Sequence, residues 1–310
     1  MLFLSLGPKT ILGVVESFKP NKAGTEYLGD ANTRYQVPLH NLRDMEEPPD
    51  LNTYGFTYVS GRHMQGMEDL EELTKTELID KYQAALTVDS VKLVQKLTGS
   101  SVAISYSEQF RQHKNPREKE SVSMIHSDLS PKGAEFMKHQ LRTEFLQSSN
   151  PEKRIFGKQL SEGGHHVVMY NVWRPLRKVE DNPLALCDWR SVSKEDRKNF
   201  EMKVAGLHNS IQAWDYNRNQ NWFFLPKQEP HEVYVFIQHD SSAKDGYGIS
   251  VPHASYFLTD NDEMNPQRMS FECRVIALFP KKGKLEKVRQ RFKSIFSRNI
   301  WGKKQISVNN

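Results

Sequence analysis

The spacing of apolar residues changes close to residue 100 of the chain. Residues 67–98 repeat apolar side chains at intervals of three and four, which predicts helix ending at Gly99, with Asp89 as the N-cap of a second helical segment. From residue 101 onward the apolar runs are short, rich in β-branched and aromatic residues, and separated by Pro, Gly or Asp, which predicts strands. Residues 193–213 suggest one further helix. An antiparallel sandwich or barrel is therefore predicted rather than a doubly wound sheet.

The first 50 residues show no comparable periodicity, because Gly-Pro, Pro-Asn and Pro-Pro pairs interrupt each apolar run. This composition predicts an irregular arm that packs over the core. The 310 residues are accordingly predicted to form a single domain. Its expected parts are an arm with helices over 1–100, a β-core over 101–280 and a basic helix or tail over 281–310.

The net charge of +5 is concentrated near the C-terminus. Residues 281–304 hold ten Lys or Arg and one Glu, so the rest of the chain carries a formal charge of −4. Apolar residues recur among these charges at three and four positions, which predicts an amphipathic basic helix. We expect it to cover the core or to contact a second subunit in a homodimer; the alternative is an anionic membrane surface. A nucleic-acid partner is not expected, because the body of the chain is mildly acidic.

The number of cysteines limits the cellular compartment. Cys187 and Cys273 are the two cysteines of the chain, which excludes a disulfide framework and indicates a reducing compartment such as the cytoplasm. No apolar run approaches the roughly 20 residues that a membrane span requires. The apolar first residues lack the basic region of a secretory signal.

His126-Ser127-Asp128 is the single His-x-Asp in the sequence, and it follows a short apolar run that predicts a strand. Residues two apart on a strand point to the same side, so His126 and Asp128 can occupy adjacent positions around one metal ion. A third ligand must come from elsewhere in the fold. Two histidines and one carboxylate leave positions open, as non-haem Fe(II) oxygenases require. A His-x-Asp also arises by chance, and the alternative is a pair with no metal role.

Polar residues alternate along the predicted last strand of the β-core. Arg268, Ser270, Glu272 and Arg274 fall on one face, with apolar residues on the other. Such a row would suit a pocket for a carboxylate, because arginine offers a planar pair of donors and serine adds a hydroxyl. The alternative is a solvated outer face on which Glu272 pairs with either arginine.

The order of these elements is informative. His-x-Asp, more than a hundred residues of strands, His253 and then Arg-x-Ser is the order found in 2-oxoglutarate-dependent oxygenases. Their fold is a double-stranded β-helix, a relative of the jelly roll. The predicted fold class is therefore mainly β, a cupin-like double-stranded β-helix with flanking helices in the N-terminal third and at the C-terminus.

Several sequence blocks identify a narrower group. NVWRPLRKVEDNPLALCDWRSVSKED (171–196), NWFFLPKQEPHEVYVFIQHDS (221–241), VPHASYF and RMSFECR resemble the oxidoreductase family of the fungal gibberellin desaturase and the bacterial cephamycin 7α-methoxylation component. That family also contains fungal aziridine-forming and endoperoxide-forming oxygenases, and the likeness runs from about Arg34 to Phe279. The resemblance implies a dioxygenase of secondary metabolism that uses Fe(II), 2-oxoglutarate and O2. Hydrogen abstraction would lead to hydroxylation, desaturation, ring closure or endoperoxide formation.

The resemblance also implies roles for individual residues. The implied metal ligands are His126, Asp128 and His253. The implied 2-oxoglutarate-binding residues are Arg268, with Arg274 as second choice, and Ser270. Arg268-Met269-Ser270 stands where the family usually has Arg-Glu-Ser, which keeps both donors.

Four further residues are candidates for contact with the substrate, and each could instead be structural. They are Asn171, Trp173, Arg174 and Trp222. Trp173 and Arg174 alternate in direction along one strand, so at most one of them points inward. A buried Arg174 would require a carboxylate partner. The expected substrate is a bulky, mostly apolar natural product such as a terpenoid, a polyketide hybrid or a modified peptide.

Two other functional classes stay open at this point. One is a cupin-like hydrolase or isomerase that uses the same metal ligands, and the other is an inactive β-sandwich binding module. A hydrolytic cupin needs no clamp for a dicarboxylate, so Arg268 and Ser270 favour the oxygenase over the first alternative. An intact set of metal ligands favours it over the second.

Overall fold

The computed structural model describes residues 11–17, 33–66, 70, 74–112, 122–180, 182–203, 210–243, 248–257 and 268–281. Within these ranges the helices are α1 Leu51–Tyr54, α2 Lys75–Thr98, α3 Pro131–Gln147 and α4 Pro151–Ser161. The strands are β1 Ile11–Ser17, β2 Thr33–Asn41, β3 Phe56–Val59, β4 Val102–Gln112, β5 His126–Ser127, β6 His165–Pro175, β7 Leu184–Cys187, β8 Arg197–Lys203, β9 Ser210–Trp214, β10 Trp222–Phe224, β11 Val233–Asp240, β12 His253–Ser255 and β13 Met269–Pro280.

The described strands form two sheets that pack face to face. The larger sheet has the order β1-β2-β10-β7-β12-β5-β9-β8, and the smaller has the order β3-β11-β6-β13-β4. Nearly all neighbouring strands are antiparallel; β2 and β10 are parallel. Chain neighbours are often separated in the sheets, as in a jelly roll, where strands alternate between two layers. The predicted mainly β, double-stranded β-helix fold is confirmed.

The smaller sheet is covered by helices, and its central strands are buried on both faces. On β6, Val168, Tyr170 and Val172 share a core cluster with apolar residues of α2. Met169 points the other way and packs with apolar residues of α3 and α4. Residues alternate between the faces of a strand, so Asn171 and Trp173 follow Met169 toward the larger sheet. This inner face is where the two sheets meet.

Helix α2 is one continuous helix, so the prediction of Asp89 as an N-cap is wrong. Its N-cap is Thr74, which forms a capping box with Glu77, and it ends at Gly99 with φ of 71°, as predicted. Asp89 lies in the interior of α2, and its carboxylate is used for ion pairs with residues outside the helix. Its carboxylate binds Arg62 and Arg174 of other segments.

Two further sequence predictions are corrected by the structure. The first 50 residues are not irregular throughout, because β1 and β2 pair as an antiparallel hairpin at the end of the larger sheet. The candidate helix at 193–213 instead contains a short 3-10 turn followed by β8 and β9, while α3 and α4 occupy a region that gave no clear helical signal.

Helices α3 and α4 begin with a polar N-cap followed by proline, at Ser130-Pro131 and Asn150-Pro151. The predicted basic helix after residue 281 lies outside the described residues. Among the described helices, none combines the length and the apolar character needed to cross a bilayer.

Candidate metal centre

The two predicted histidine ligands lie side by side on neighbouring strands of the larger sheet. His126 opens β5 and His253 opens β12, and the two residues are direct partners in this antiparallel pair. Their ring centroids are 4.3 Å apart. Cross-strand partners project to the same face, so more than a hundred residues of intervening chain do not separate the two imidazoles.

Asp128 completes the group from the end of β5. Its Oδ1 atom is 3.9 Å from Nε2 of His126 and 3.9 Å from Nε2 of His253. The three potential ligand atoms all lie within 4.8 Å of one another, and all three side chains are buried. The structure thus brings together the three residues that the sequence singled out, with His126 and Asp128 on the same side as expected.

The hydrogen bonds of the histidines favour metal binding through Nε2. Nδ1 of His126 lies 2.8 Å from the carbonyl oxygen of Met124, and Nδ1 of His253 lies 3.1 Å from that of Val251. A carbonyl only accepts, so both Nδ1 atoms carry the proton and both Nε2 lone pairs face the centre. Burial, followed by the proximity of His253, lowers the pKa of His126 to about 4. His126 is therefore neutral at neutral pH, as a metal ligand must be.

The carboxylate of Asp128 is ionised and held from the smaller sheet. Its Oδ2 accepts hydrogen bonds from Nδ2 of Asn171 at 2.5 Å and Nε2 of Gln238 at 3.1 Å. Its Oδ1 lies 3.2 Å from Nη2 of Arg274. Burial alone would raise the pKa of Asp128, but Arg274 and the two histidines outweigh it and hold that pKa well below its usual range.

A basic group lines the same cavity. Arg268 is 5% exposed, and its Nη1 donates to the carbonyl of Asn182 at 2.7 Å and to Oγ of Ser255 at 2.8 Å. Its guanidinium lies 5.6 Å from the ring centre of Trp173. Two positions along the chain, Oγ of Ser270 is fully buried and has no hydrogen-bond partner among the described residues. A buried guanidinium that lines a cavity fits a carboxylate ligand.

The three candidate ligands and Arg268 line one cavity between the sheets. The described residues around it are Arg111, Val122, His126, Asp128, Trp173, Leu184, Phe236, His253, Ser255, Arg268 and Glu272. Three oxygen or nitrogen donors and a guanidinium in one cavity can hold a metal ion and an anionic group that binds it. The polar face of β13 is therefore turned inward and is not a solvated outer face.

The remaining predicted site residues differ in their placement. Trp173 lines the cavity, whereas Arg174 points to the opposite face and pairs with Asp89 at 2.5 Å, which is the carboxylate partner it requires. Trp222 is fully buried beside Tyr256 in a separate core cluster. The side chain of Asn171 donates to Asp128. The guanidinium of Arg274 binds the carboxylates of Asp128 and Glu272.

Two residues of this centre gave no signal in the sequence. Gln238 donates to Asp128, and the hydroxyl of Tyr106 donates to Oε1 of Gln238. Both residues lie where the strand register shifts, in β11 and β4 respectively. Such β-bulges change the side to which a residue points, and neither alternation nor a motif reveals them.

The comparisons with known proteins agree with this site. The family model described as an oxidoreductase/YMDC permease-like domain matches residues 10–278. The alpha-ketoglutarate-dependent dioxygenase phiK of a fungal species is 26% identical over 292 residues, which cover 86% of this chain and 97% of that protein. The gibberellin cluster GA4 desaturase of Gibberella fujikuroi is 30% identical over 132 residues, which cover 40% of this chain and 38% of that protein.

A solved structure supports the fold independently. The iron and alpha-ketoglutarate-dependent endoperoxidase NvfI superposes with a TM-score of 0.69 at 20% identity, over 88% of this chain and 100% of the solved chain. A protein of that name occurs in Aspergillus novofumigatus. The chain therefore belongs to the oxidoreductase/YMDC permease-like domain family and is a member of the fungal Fe(II)- and 2-oxoglutarate-dependent oxygenases.

Proposed function

We propose that His126, Asp128 and His253 bind Fe(II), that Arg268 and Ser270 bind the distal carboxylate of 2-oxoglutarate, and that the enzyme oxidises a C–H bond of a secondary metabolite. The observation that carries this proposal is the meeting of three ligand atoms within 4.8 Å of one another in a cavity that also contains Arg268. When bound, Fe(II), 2-oxoglutarate and O2 supply the oxidant that removes hydrogen from an unactivated carbon.

The chain contributes charge, orientation and exclusion of water. The imidazoles of His126 and His253 with ionised Asp128 give the donor set that a divalent iron site with open positions requires. Arg274 keeps the Asp128 carboxylate ionised despite its burial. The rings of Phe236 and His253 lie 4.9 Å apart, so the smaller sheet places one apolar side chain against the imidazole of His253.

In the same cavity, Arg268 provides a fixed positive charge. Two hydrogen bonds hold its Nη1, which limits the rotation of the side chain before any ligand arrives. A preoriented guanidinium binds a carboxylate with a smaller loss of conformational entropy. Arg274 is less suited to this task because Asp128 and Glu272 already engage it.

We propose a bulky, mostly apolar natural product as the substrate. The names of the relatives specify a gibberellin desaturase and an endoperoxidase, and these names support a C–H oxidation of the same general kind. Hydroxylation, desaturation, ring closure and endoperoxide formation are the outcomes considered. The position of the substrate relative to the metal decides among them.

The proposal also covers the domain organisation, the cellular compartment and the partners of the protein. The family match over residues 10–278 supports one oxygenase domain. Both cysteines are free and buried, which supports a reducing compartment such as the cytoplasm. The substrate is a small molecule, and a homodimer is the proposed partner arrangement.

Replacement of one metal ligand tests the proposal. Under anaerobic conditions, the wild-type protein with Fe(II) and 2-oxoglutarate should develop the weak visible charge-transfer absorption of an iron-bound 2-oxo acid. His126→Ala should lose iron binding and succinate production. The matched control is His40→Ala, which changes an exposed histidine of β2. Retained iron binding and retained succinate production in His126→Ala would refute the assignment of the ligands.

A further inference from the structure

The carboxylate of Asp128 is held by a chain of uncharged side chains as well as by Arg274. We propose that Tyr106, Gln238 and Asn171 act as positioning residues, which fix the carboxylate so that Oδ2 is engaged by the protein and Oδ1 is presented to the metal. This inference rests on the proposed metal centre and adds to it the residues that control how its single acidic ligand binds.

The direction of each hydrogen bond in this chain follows from the ionised carboxylate of Asp128, which only accepts. The amide NH2 of Gln238 therefore faces this carboxylate, and lies 3.1 Å from Oδ2 of Asp128 and 3.3 Å from Oδ1 of Asn171. On the other side of the amide, Oε1 of Gln238 accepts a hydrogen bond from the hydroxyl of Tyr106. Because Oδ1 of Asn171 accepts from Gln238, the NH2 of Asn171 faces Oδ2 of Asp128 at 2.5 Å.

Only one orientation of the two amides satisfies this network. If either amide were rotated by half a turn, a carbonyl oxygen would face the ionised carboxylate of Asp128 and a donor would be lost. Asn171 is fully buried and Gln238 is 2% exposed, so water cannot readily replace a missing partner. The hydroxyl of Tyr106 supplies the donor that Oε1 of Gln238 requires in this orientation, and so helps to hold the Gln238 amide against Asp128.

The backbone supports the same interpretation. The register of β11 against β6 shifts between Ile237 and His239, and the register of β13 against β4 shifts at a point that leaves Tyr106 unpaired. Each shift inserts one extra residue, and the two extra residues are Gln238 and Tyr106. Bulges of this kind commonly direct side chains into functional sites. Here they bring two residues of different strands into contact behind the metal ligand.

The two oxygens of the carboxylate consequently have different roles. Oδ2 accepts two N–H groups, which occupy the lone pairs that a chelating carboxylate would use. Oδ1 accepts from Arg274 at 3.2 Å and is the atom that lies 3.9 Å from each histidine Nε2. A carboxylate that binds through one oxygen leaves the metal an additional position for the co-substrate or O2.

Cobalt binding tests this inference without turnover. Co(II) is titrated anaerobically in place of Fe(II), and both the affinity and the visible absorption of the bound ion are recorded. Tyr106→Phe and Gln238→Met should weaken Co(II) binding about 10- to 100-fold, because the carboxylate is no longer held in position. They should also change the absorption of the bound ion, because the freed carboxylate can bind through both oxygens. The double variant should lose no more than Gln238→Met alone, since Tyr106 acts through Gln238.

The controls are matched in chemistry and burial. Tyr170→Phe removes a tyrosine hydroxyl from the outer face of β6, and Gln228→Met removes a fully buried amide that binds the backbone of Glu232. Both should bind Co(II) as the wild type does, with the same absorption. Melting temperature verifies folding, and Tyr106→Phe, which removes a single hydroxyl, carries the test if Gln238→Met is unstable.

The outcomes separate this inference from the proposed function. A folded wild-type protein that binds no Co(II) would overturn the metal centre itself. A wild type that binds Co(II), together with Tyr106→Phe and Gln238→Met proteins of unchanged affinity and absorption, would overturn the positioning roles and leave the centre intact. Losses that add in the double variant would show that Tyr106 does not act through Gln238.

Discussion

At the scale of single residues, the two histidines of the site share one local arrangement. Nδ1 of each ring lies within hydrogen-bond distance of the carbonyl two residues earlier, at Met124 for His126 and at Val251 for His253. The backbone preceding each strand thus selects the tautomer and directs Nε2 to the centre. The protein needs no additional acidic residue for this purpose, which keeps Asp128 as the sole carboxylate among the three ligands.

Substitution of Arg268 tests its proposed role in binding the co-substrate. Arg268→Gln removes a positive charge from the cavity that the three candidate ligands also line. The KM for 2-oxoglutarate should rise about 10- to 100-fold, because a hydrogen bond to a charged group contributes about 1.5–3 kcal/mol. Fe(II) affinity measured anaerobically should change little, since Nη1 of Arg268 binds Asn182 and Ser255 and Arg268 is not one of the three proposed ligands.

Arg218→Gln provides the control for this substitution, because Arg218 is an exposed arginine outside the cavity. It should leave the KM unchanged. An Arg268→Gln enzyme with the wild-type KM for 2-oxoglutarate would contradict the assignment and would direct attention to Arg274.

At the scale of elements, helix α2 is fixed to the outer face of the smaller sheet by a buried ionic contact. Arg174 of β6 is 3% exposed and donates to Asp89 of α2, and to the carbonyls of Arg62 and Pro230. Burial lowers the pKa of Arg174, and Asp89 opposes that effect. The Arg174–Asp89 ion pair therefore holds α2 against the smaller sheet and takes no part in the chemistry on the inner face.

Removal of the carboxylate from α2 should destabilise the protein. Asp89→Ala leaves the Arg174 guanidinium buried without its anionic partner, which should lower the free energy of unfolding by about 3 kcal/mol. Asp80→Ala changes an exposed aspartate of the same helix and should cost less than about 0.5 kcal/mol. Urea denaturation measures both values, and equal values for the two variants would refute the structural role of this pair.

At the scale of the whole molecule, the smaller sheet connects the metal centre to the helices that cover it. Its inner face carries Asn171, Gln238 and Arg274 against the site, whereas α3 covers the same sheet near His239. Burial, followed by the charge of Lys138, lowers the pKa of His239 to about 4. This buried histidine links the stability of the fold to pH.

The sign of that linkage follows from the two pKa values. The ordinary pKa of histidine is 6.5, so below pH 6.5 the unfolded chain takes up a proton that folded His239 does not accept until about pH 4. The stability associated with neutral, buried His239 is therefore fully present above pH 6.5, and it falls as the pH decreases from 6.5 to about 4. Between pH 7 and pH 4, His239 should account for a loss on the order of 2–3 kcal/mol.

His239→Gln isolates this contribution, because glutamine does not titrate. Unfolding of metal-free wild type and variant is measured by urea denaturation at several pH values, and the difference between them removes the contribution of His126, which both proteins retain. The difference should change by about 2–3 kcal/mol between pH 7 and pH 4. Parallel pH profiles would show that His239 is not the titrating group.

The sequence by itself determined the fold class, the identity of the three ligand candidates and the opposite directions of Trp173 and Arg174. These features depend on periodicity, on residue type and on the order of motifs, which are properties of the chain. The same reasoning failed at Asp89, at the N-terminal hairpin and at α3 and α4, where contacts with distant segments decide which local conformation is stable.

Tertiary structure alone decided how the site is assembled. The pairing of β5 with β12 places His126 beside His253, and two bulges bring Tyr106 and Gln238 behind Asp128. Strand register and bulges arise from packing between segments far apart in the chain, so a single sequence gives no local sign of them. The same packing pairs Arg274 with Asp128 and places Arg268 in the lining of the cavity.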